Sequence, residues 1–307
     1  MSATPKRALK GIAVLIAGTL VAALLLLHSL LPTSRGIALV VESALPWTWI
    51  LIVLVVLAGL IRFSVLSIIG VLVPAIVWAA MFGAYLRPAH APEHSGLVVA
   101  TQNVGARGSQ PTATVQALTE HQPDIVAVEE LESLSGKIIR KRLDGKFSHS
   151  HVADTVGVWT KWPLKDTEEI GLGLQWPRAF ATTVQTDEGD VRFYAVHMPS
   201  VRPGQESLRN AALSKLAEVV RADRSQRIIV AGDFNAGSSD RYFSELSSQL
   251  TDTRRAVGGG FGFTWPAQFP LVRLDHILVR GLTPTGDSVM GEGTSDHRGV
   301  IGYLDVP

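Results

Sequence analysis

The sequence contains no cysteine among its 307 residues, and charged residues make up only 18% of it. The lack of cysteine excludes a disulfide scaffold and a structural zinc site built on thiolates. The low charge, combined with 47% hydrophobic residues, excludes an intrinsically disordered chain. What is present is therefore an apolar chain whose few charges have to be located.

Charged residues are scarcest in residues 1–90, which hold one acidic and six basic side chains. Removing them from the totals of 27 acidic and 28 basic leaves 26 and 22 in residues 91–307, a net charge of −4. This split predicts a membrane domain over 1–90 and a mildly acidic domain over 91–307. The second part, about 215 residues, is long enough to bury a core as a single domain.

Three uncharged apolar runs predict membrane-spanning helices at about 11–31, 44–61 and 63–86. A bilayer requires roughly 20 apolar residues per helix, and the runs approach or exceed that length. A cleaved signal peptide is the alternative for the first run. Its apolar stretch is too long for a signal peptide, and no small-residue cleavage site follows it. We therefore expect three spans.

The basic residues of the front predict its orientation. Lys6, Arg7 and Lys10 precede the first helix, and Arg62 separates the second from the third. Only two basic residues fall on the opposite side, so the positive-inside rule predicts a cytoplasmic N-terminus. Three spans would then place residues 91–307 on the outer side of the cytoplasmic membrane. The lack of cysteine is compatible with that location without requiring it.

The region 91–307 alternates between strand-like and helix-like patterns. Helices are predicted near 112–121, 206–222 and 242–250 from apolar residues at helical spacing. Strands are predicted near 98–104, 124–128, 156–160, 180–186, 191–197, 227–231, 274–279 and 299–305. Many strands in mixed order with few helices predict an α/β fold of stacked sheets with helices outside.

Polar side chains stand at the ends of six predicted strands. Singly, a carboxylate after a strand is more often a turn former or a helix cap. A single histidine is likewise more often a packed or hydrogen-bonded core residue. Their joint occurrence predicts an active site. The residues are Asn103, Glu129, Glu130, His197, Asp233, Asn235, Asp275, His276 and the run Ser295–Arg298.

The motifs that carry these residues resemble the endonuclease/exonuclease/phosphatase superfamily over about 97–305. The order GDFN then SDHR is the most specific part of the resemblance. It implies a DNase I-like four-layer sandwich of two mixed sheets with outer helices. With three helices in front, the chain is similar to membrane-bound bacterial members of the VanJ type, which are linked to glycopeptide resistance. The motifs are TQN, PDIVAVEE, GVWTKWP, VHMPS, GDFNA, GFTWP, RLDHI and SDHRGV.

The resemblance implies a divalent metal, Mg²⁺ or Mn²⁺. Glu130 would hold it with help from Asn103 and Asp296. Hydrolysis of a phosphate ester requires neutralised phosphate oxygens, a deprotonated water and a stabilised leaving group. Hard oxygen ligands such as these carboxylates suit those two ions.

The resemblance also assigns catalytic residues. Asp233 would orient and deprotonate the attacking water, and Asn235 would position the phosphate. His297 would contact the phosphate or the water, with Asp275 orienting its ring. His197 would stabilise the oxygens of the transition state or protonate the leaving group.

Four residues depart from the family pattern or have no assigned role. Glu129 stands where many relatives have glutamine, and could support the site or repel an anionic substrate. His276 stands where other members often have tyrosine. Arg178 could touch phosphate, but we expect an exposed structural arginine. Trp265 either packs beside the site or belongs to the core.

Three interpretations of function follow from these features. The first is a membrane-anchored phosphoesterase that hydrolyses a phosphate ester or pyrophosphate, with membrane lipids as its partners and a lipid-linked substrate. The second is an extracellular nuclease, which the acidic second domain disfavours because nucleic-acid binders usually carry a basic footprint. The third is a catalytically inactive envelope binding module, which the complete set of motif residues disfavours.

Overall fold

The computed structural model describes residues 11–89, 96–105, 110–200, 206–291 and 295–307. Lys6, Arg7 and Lys10, on which the predicted orientation depends, lie outside the described residues. So does the predicted domain boundary between residues 90 and 91.

The front of the chain folds into apolar helices. Three helical stretches are long and apolar enough to cross a membrane: Ile12–Leu30, Ser34–Ile61 and Val65–Leu86. They contain the helices α1 (Ile12–Leu27), α2 (Ile37–Ala44), α3 (Trp49–Ile61) and α4 (Val65–Phe82). Short 3-10 turns complete them at His28–Leu30, Ser34–Gly36, Leu45–Thr48 and Gly83–Leu86.

The second stretch begins at Ser34, earlier than the predicted residue 44. The prediction started after Glu42 because an unpaired charge is costly in an apolar helix. In the structure the Glu42 carboxylate is buried and paired. Its Oε1 lies 2.7 Å from Nε of Arg241 and 3.1 Å from Nδ1 of His28. The charge is therefore compensated from outside the helix.

Helices α1 and α4 cross at two glycines. A Cβ on Gly18 would lie 1.7 Å from the carbonyl oxygen of Gly70, and one on Gly70 would lie 2.7 Å from Cα of Leu15. Only glycine permits this close approach of two backbones. Small residues at the crossing point are typical of helix packing within membranes.

The second part of the chain contains two sheets of six strands. Its helices are α5 (Pro111–Glu120), α6 (Leu134–Asp144), α7 (Glu206–Ala222), α8 (Arg241–Ser247) and α9 (Thr253–Val257). Its strands are β1 (Leu97–Asn103), β2 (Ile125–Glu129), β3 (His149–Ala153), β4 (Val156–Thr160), β5 (Leu164–Glu169), β6 (Ala179–Thr186), β7 (Gly189–His197), β8 (Ile228–Asp233), β9 (Thr251–Asp252), β10 (Asp275–Arg280), β11 (Thr283–Val289) and β12 (Val300–Asp305).

The strand order is β11-β12-β1-β2-β4-β3 in the first sheet and β5-β6-β7-β8-β10-β9 in the second. Both sheets are mixed, because β1 pairs parallel with β2, and β7 with β8, while the other neighbours are antiparallel. All the strands and helices predicted for 91–307 are present, with ends shifted by a few residues.

The core has three layers of apolar side chains. One lies between the sheets and includes Phe180 and Phe193, both fully buried. A second packs α5 and α6 on the first sheet, with Leu118 among its members. A third packs α7 and α8 on the second sheet, with Leu216 and Phe243. Burying a side chain of this size contributes about 1.5–3 kcal/mol. The two sheets are therefore held face to face with helices outside.

A glycine–aromatic loop, residues 258–265 (GGGFGFTW), joins the second part to the front helices. The ring of Phe261 lies 5.6–6.2 Å from those of Trp78, Phe82 and Tyr85. The backbone N–H of Gly260 donates to the carbonyl of Tyr85 at 2.7 Å. The loop thus anchors the sandwich at the end of α4.

Candidate active site

Three neighbouring strands of the second sheet bring three predicted site residues together. His197 at the end of β7 is in parallel register with Asp233 at the end of β8. Asp275 at the start of antiparallel β10 is also opposite Asp233. A Cβ on Gly232 would lie 1.9 Å from the carbonyl oxygen of Val196. The glycine of GDFN therefore allows β7 and β8 to approach closely at the site.

The first sheet contributes Asn103 and the two glutamates. Asn103, at the end of β1, is in register with Glu129 at the end of β2. Its Nδ2 donates to Oδ2 of Asp233 at 3.0 Å and to Oε1 of Glu130 at 3.2 Å. Asn103 thus links the catalytic ends of the two sheets.

Two non-glycine site residues have left-handed backbone conformations. Glu130 has φ 63° and Asn235 has φ 47°. Glu130 directly follows β2 and Asn235 lies two residues after β8, and such conformations cluster at functional sites, where the surroundings hold them. In Asn235 the side chain compensates: its Nδ2 donates to Oδ2 of Asp233 and to the carbonyl of Met198, both at 3.0 Å. The turn therefore fixes the amide beside the carboxylate.

His297 pairs with Asp275. Nδ1 of His297 lies 2.9 Å from Oδ2 of Asp275, and its Nε2 lies 3.9 Å from Oδ2 of Asp233. Burial alone would lower the pKa of His297, but the carboxylates of Asp275 and Asp233 outweigh it and raise this pKa to about 10. His297 is therefore a cation at neutral pH, with Nε2 facing Asp233.

Asp233 lies fully buried at the centre of the site. Burial raises its pKa to about 7; the positive charge of His297 opposes this rise, and the negative charge of Asp275 adds to it. A carboxylate that titrates near neutrality is suited to accept a proton from water. The position and the pKa fit the predicted role as general base.

His197 has a different environment from His297. Its Nε2 lies 3.6 Å from Oε1 of Glu130, and its Nδ1 lies 3.3 Å from Nη1 of Arg178. Burial, followed by the charges of Arg178 and His297, lowers the pKa of His197 to about 3. The ring is therefore neutral. A neutral imidazole fits hydrogen bonding to phosphate oxygens better than protonation of a leaving group.

Arg178 is not the exposed residue expected from the sequence. Its side chain is half-buried, its guanidinium contacts His197, and it stacks on Trp176 at 5.5 Å. Arg178 lies one residue before β6, and β6 pairs with β7, so Arg178 is aligned with His197. This position next to a strand was the only sign in the sequence that Arg178 reaches the site. Arg178 therefore supplies a cation beside His197, in line with the alternative that the sequence analysis considered and did not prefer.

The three other residues without an assigned role, His276, Trp265 and Glu129, have different environments. His276 is buried away from the site, with Nδ1 3.0 Å from Oδ2 of Asp252. Trp265 is 40% exposed and lines the site cavity, so it is not a core residue. Glu129 is fully buried beneath the site and accepts a hydrogen bond from the Thr101 hydroxyl at 3.0 Å. Burial, with the nearby Asp275 and Asp233, raises the pKa of Glu129 well above its ordinary value.

The site opens into a cavity of about 800 Å³. Glu130, Asp233, Asn235, Asp296 and His297 are among the residues that line it. Residues of the front, between Arg35 and Trp47, also line it. No sequence pattern predicted this part of the lining, the α2 wall, because it lies far from the motifs along the chain.

The donor set at the cavity fits a hard divalent cation. Glu130 and Asp296 both present carboxylates to the cavity, and neither sulfur nor an excess of imidazole competes. Oδ1 of Asn103 accepts a hydrogen bond from the backbone of Gly105 at 2.9 Å, while its Nδ2 faces the carboxylates. In this arrangement Asn103 orients Glu130, and ligation by its oxygen stays a prediction.

A second group of possible ligands lies deeper. Atoms of Asp233, Asp275 and His297 lie within 4.8 Å of one another. These three residues therefore form a second possible site for a cation. Metal ligation by Glu130 and Asp296 stays a prediction.

The chain matches the model of a known protein family and is similar to one named relative over part of its length. The model for the endonuclease/exonuclease/phosphatase family matches residues 100–297. YbhP of Escherichia coli strain K12 is 31% identical over 106 residues, which are 34% of this chain and 42% of YbhP. The match thus spans less than half of that relative.

Solved structures of low sequence identity share the fold. Truncated TDP2 of Caenorhabditis elegans has a TM-score of 0.58 at 15% identity, covering 70% of this chain and all of that chain. The 3′ phosphatase NExo from Neisseria, bound to a product DNA hairpin, has a TM-score of 0.56 at 21% identity, covering 68% of this chain and 100% of its own. The predicted DNase I-like sandwich is confirmed. The closer resemblance to VanJ-type proteins stays a prediction.

Proposed function

The chain belongs to the endonuclease/exonuclease/phosphatase family of phosphoester hydrolases, and from that premise we propose a membrane-anchored, metal-dependent phosphoesterase. Its substrate would be a lipid-linked phosphate ester or pyrophosphate on the outer side of the cytoplasmic membrane. The observation that carries the lipid assignment is the attachment of the site to the apolar front helices.

The catalytic residues act as follows in this proposal. Asp233, whose pKa is about 7, takes the proton of the attacking water. The amides of Asn103 and Asn235, both 3.0 Å from its Oδ2, hold the carboxylate in place. The His297 cation, oriented by Asp275, stabilises the negative charge that develops on the phosphate.

The other side of the phosphate faces His197 and Arg178. The neutral His197 donates a hydrogen bond to a phosphate oxygen, and Arg178 adds a positive charge beside it. Mg²⁺ or Mn²⁺ held by Glu130 and Asp296 would supply Lewis-acid stabilisation of phosphate and leaving-group oxygens.

Contacts at the glycine–aromatic loop support a site held at the membrane. Trp47 donates from Nε1 to the carbonyl of Leu271 at 2.9 Å and stacks on Phe263 at 5.4 Å. The N–H of Gly259 donates to the carbonyl of Arg87, just after the last apolar stretch, at 2.8 Å. A site tethered so closely meets membrane-borne phosphates at high local concentration.

Charge also favours a lipid over a nucleic acid. Residues 91–307 have a net charge of −4, whereas proteins that bind nucleic acid usually present a basic surface. Among the described residues that line the cavity, Arg35 is the one lysine or arginine. A long polyanion would gain little from such a surface.

A phosphoester screen tests the proposed function. The purified full-length protein is supplied with Mg²⁺ or Mn²⁺ and offered phosphatidic acid, sphingomyelin, undecaprenyl pyrophosphate and supercoiled plasmid, with Asp233→Asn as the blank. We expect release of phosphate or head group from a lipid. Plasmid nicking without lipid hydrolysis would identify a nuclease. No hydrolysis of any substrate would favour the inactive binding module.

The orientation is tested by labelling with a membrane-impermeant maleimide, because the chain contains no cysteine of its own. In intact cells without an outer barrier, Lys137→Cys in exposed α6 should be labelled, and Arg62→Cys between the second and third apolar stretches should not. The reverse pattern would place the site in the cytoplasm.

A further inference from the structure

The part of the site cavity lined by the front helices is mainly apolar, although Arg35 and Ser43 also line it. Helix α2 and the turn after it contribute Leu39, Val40 and Trp47, and the second domain contributes Trp265, Leu271 and Val272. Val40 is 66% exposed, Trp265 40% and Leu271 41%. An apolar surface of this kind beside a charged site marks a place where a ligand is bound.

The α2 wall is held in place from both sides. The buried Glu42 on α2 is paired with Arg241, whose Nη1 and Nη2 donate to the carbonyls of Ser29, Leu31 and His28 at 2.6–2.9 Å. The next turn is tied to the second domain by the Trp47–Leu271 hydrogen bond. Residues 271–274, which precede β10, are therefore held in a fixed position relative to α2, and the space between them is a defined cavity.

The lining of the cavity combines a charged group and an apolar group of side chains, as an amphiphilic substrate combines a phosphate and a hydrocarbon chain. The charged group contains Asp233, His297 and the candidate metal ligands, which suit a phosphate. The α2 side offers mainly aliphatic and indole side chains, which suit hydrocarbon, and Arg35 is the one positive charge among its described lining residues. One ligand that suits both groups has a phosphate joined to a hydrocarbon chain.

We infer that α2 and residues 265–272 bind the hydrocarbon chain of the substrate, so that this cavity selects long-chain over short-chain phosphates. The inference rests on the proposed function and deepens it, because it assigns the recognition of the chain to named residues outside the catalytic set. The membrane segment is then part of the substrate site and not only an anchor.

Val40→Trp tests the inference, with Ile37→Trp as its matched control. Both residues are exposed aliphatics on α2, at 66% and 46% exposure, but only Val40 lines the cavity. Exposed substitutions of this kind usually change stability little. The indole at position 40 would occupy space that the chain of the substrate requires.

The readout is the ratio of kcat/KM for long-chain to short-chain substrates of the same head group. Suitable pairs are undecaprenyl and dimethylallyl pyrophosphate, and palmitoyl and hexanoyl phosphatidic acid, in mixed micelles. We expect Val40→Trp to reduce the ratio about tenfold or more, the effect of displacing two or three buried methylene groups. Ile37→Trp should leave the ratio within about twofold and should retain its rate on the short chain.

A binding measurement keeps this test separate from that of the proposed function. Dodecyl phosphonate and methyl phosphonate are titrated calorimetrically into the wild-type protein and both variants in detergent. We expect tighter binding of the dodecyl compound, lost in Val40→Trp alone. Equal chain preference in the two variants, by rate or by affinity, would overturn the inference. A wild type that prefers long-chain phosphonates but hydrolyses no lipid would overturn the proposed function and leave the chain site standing.

Discussion

Nε of Arg241, the first residue of α8, lies 2.7 Å from the carboxylate of Glu42 on α2. The same guanidinium donates hydrogen bonds to three backbone carbonyls at the end of the first apolar stretch. A carboxylate that is 2% exposed would be costly without this partner. The pair therefore joins the front helices to the catalytic sandwich, and with them the two groups of residues that line the site cavity.

Arg241→Ala is expected to loosen this junction. Removing one partner of a buried ion pair costs about 3–5 kcal/mol, because the other charge stays buried. We expect a lower thermal midpoint in detergent and a greater loss of activity on lipid phosphates than on a short soluble phosphoester. Arg224→Ala, at an exposed arginine outside the junction, is the control. Equal losses on both substrates would show that the junction does not shape the lipid site.

The Asp233, Asp275 and His297 group predicts a bell-shaped pH profile. Activity should rise as Asp233 loses its proton near pH 7 and fall as His297 loses its proton near pH 10. Asp275→Asn removes a negative charge that raises both pKa values, so both limbs should move to lower pH. His297→Ala should lose about 10²–10⁴ in turnover. The measurement is kcat/KM against pH, and an alkaline limb that does not move in Asp275→Asn would contradict the assignment.

Arg178 should contribute to phosphate binding. A hydrogen bond to a charged group contributes about 1.5–3 kcal/mol, or roughly 10- to 150-fold in kcat/KM. We expect Arg178→Ala to lose that factor, Arg178→Lys to retain part of it, and added guanidinium to restore some activity to the alanine variant. Arg140→Ala, on the exposed side of α6, controls for loss of surface charge. An unaffected Arg178→Ala enzyme would return Arg178 to a purely structural role.

Glu129 should be replaceable by glutamine. Because the pKa of Glu129 is raised in the folded protein, its carboxyl stays protonated there at pH values at which it is ionised in the unfolded chain. The stability present below the unfolded pKa is therefore lost as pH rises above about 4.5, at up to about 1.4 kcal/mol per pH unit. Glu129→Gln removes this loss. The thermal midpoint of the variant should exceed that of the wild type increasingly as the pH rises above 5, with activity retained; parallel curves would contradict a protonated Glu129.

Metal dependence follows from the carboxylates of Glu130 and Asp296 at the cavity. We expect activity to vanish in EDTA and to return with Mg²⁺ or Mn²⁺, which prefer such ligands. Glu130→Gln should raise the metal concentration needed for half-maximal rate. Full activity of a metal-stripped protein in chelator would contradict the assignment.

The buried strands of the fold could be predicted from the sequence because each of them contains a run of mostly apolar residues. The missed strands β3, β5, β9 and β11 are edge strands, and an edge strand needs fewer apolar residues. β5, for example, is LKDTEE and largely exposed. Helix α6 was missed because only a narrow face of it is buried. These elements were missed because their sequences contain too few apolar residues to show a strand or helix pattern.

The predicted site residues could be found in the sequence because each stands at or near the end of a strand that the apolar pattern also indicates. Arg178 and the α2 wall could not be placed at the site in this way, because their positions depend on contacts between distant parts of the chain. Arg178 reaches the site through the pairing of β6 with β7. The wall depends on the Glu42–Arg241 pair, which joins residues 199 positions apart.

The most direct test of a lipid phosphoesterase is a competition on one preparation of the full-length protein. Proteoliposomes that contain undecaprenyl pyrophosphate or phosphatidic acid receive supercoiled plasmid and Mg²⁺, with Asp233→Asn proteoliposomes as the blank. Release of phosphate from the lipid and nicking of the plasmid are then followed in the same tube. We predict lipid hydrolysis well above the blank and plasmid nicking at the level of the blank. Efficient nicking with no release from either lipid would contradict the proposal.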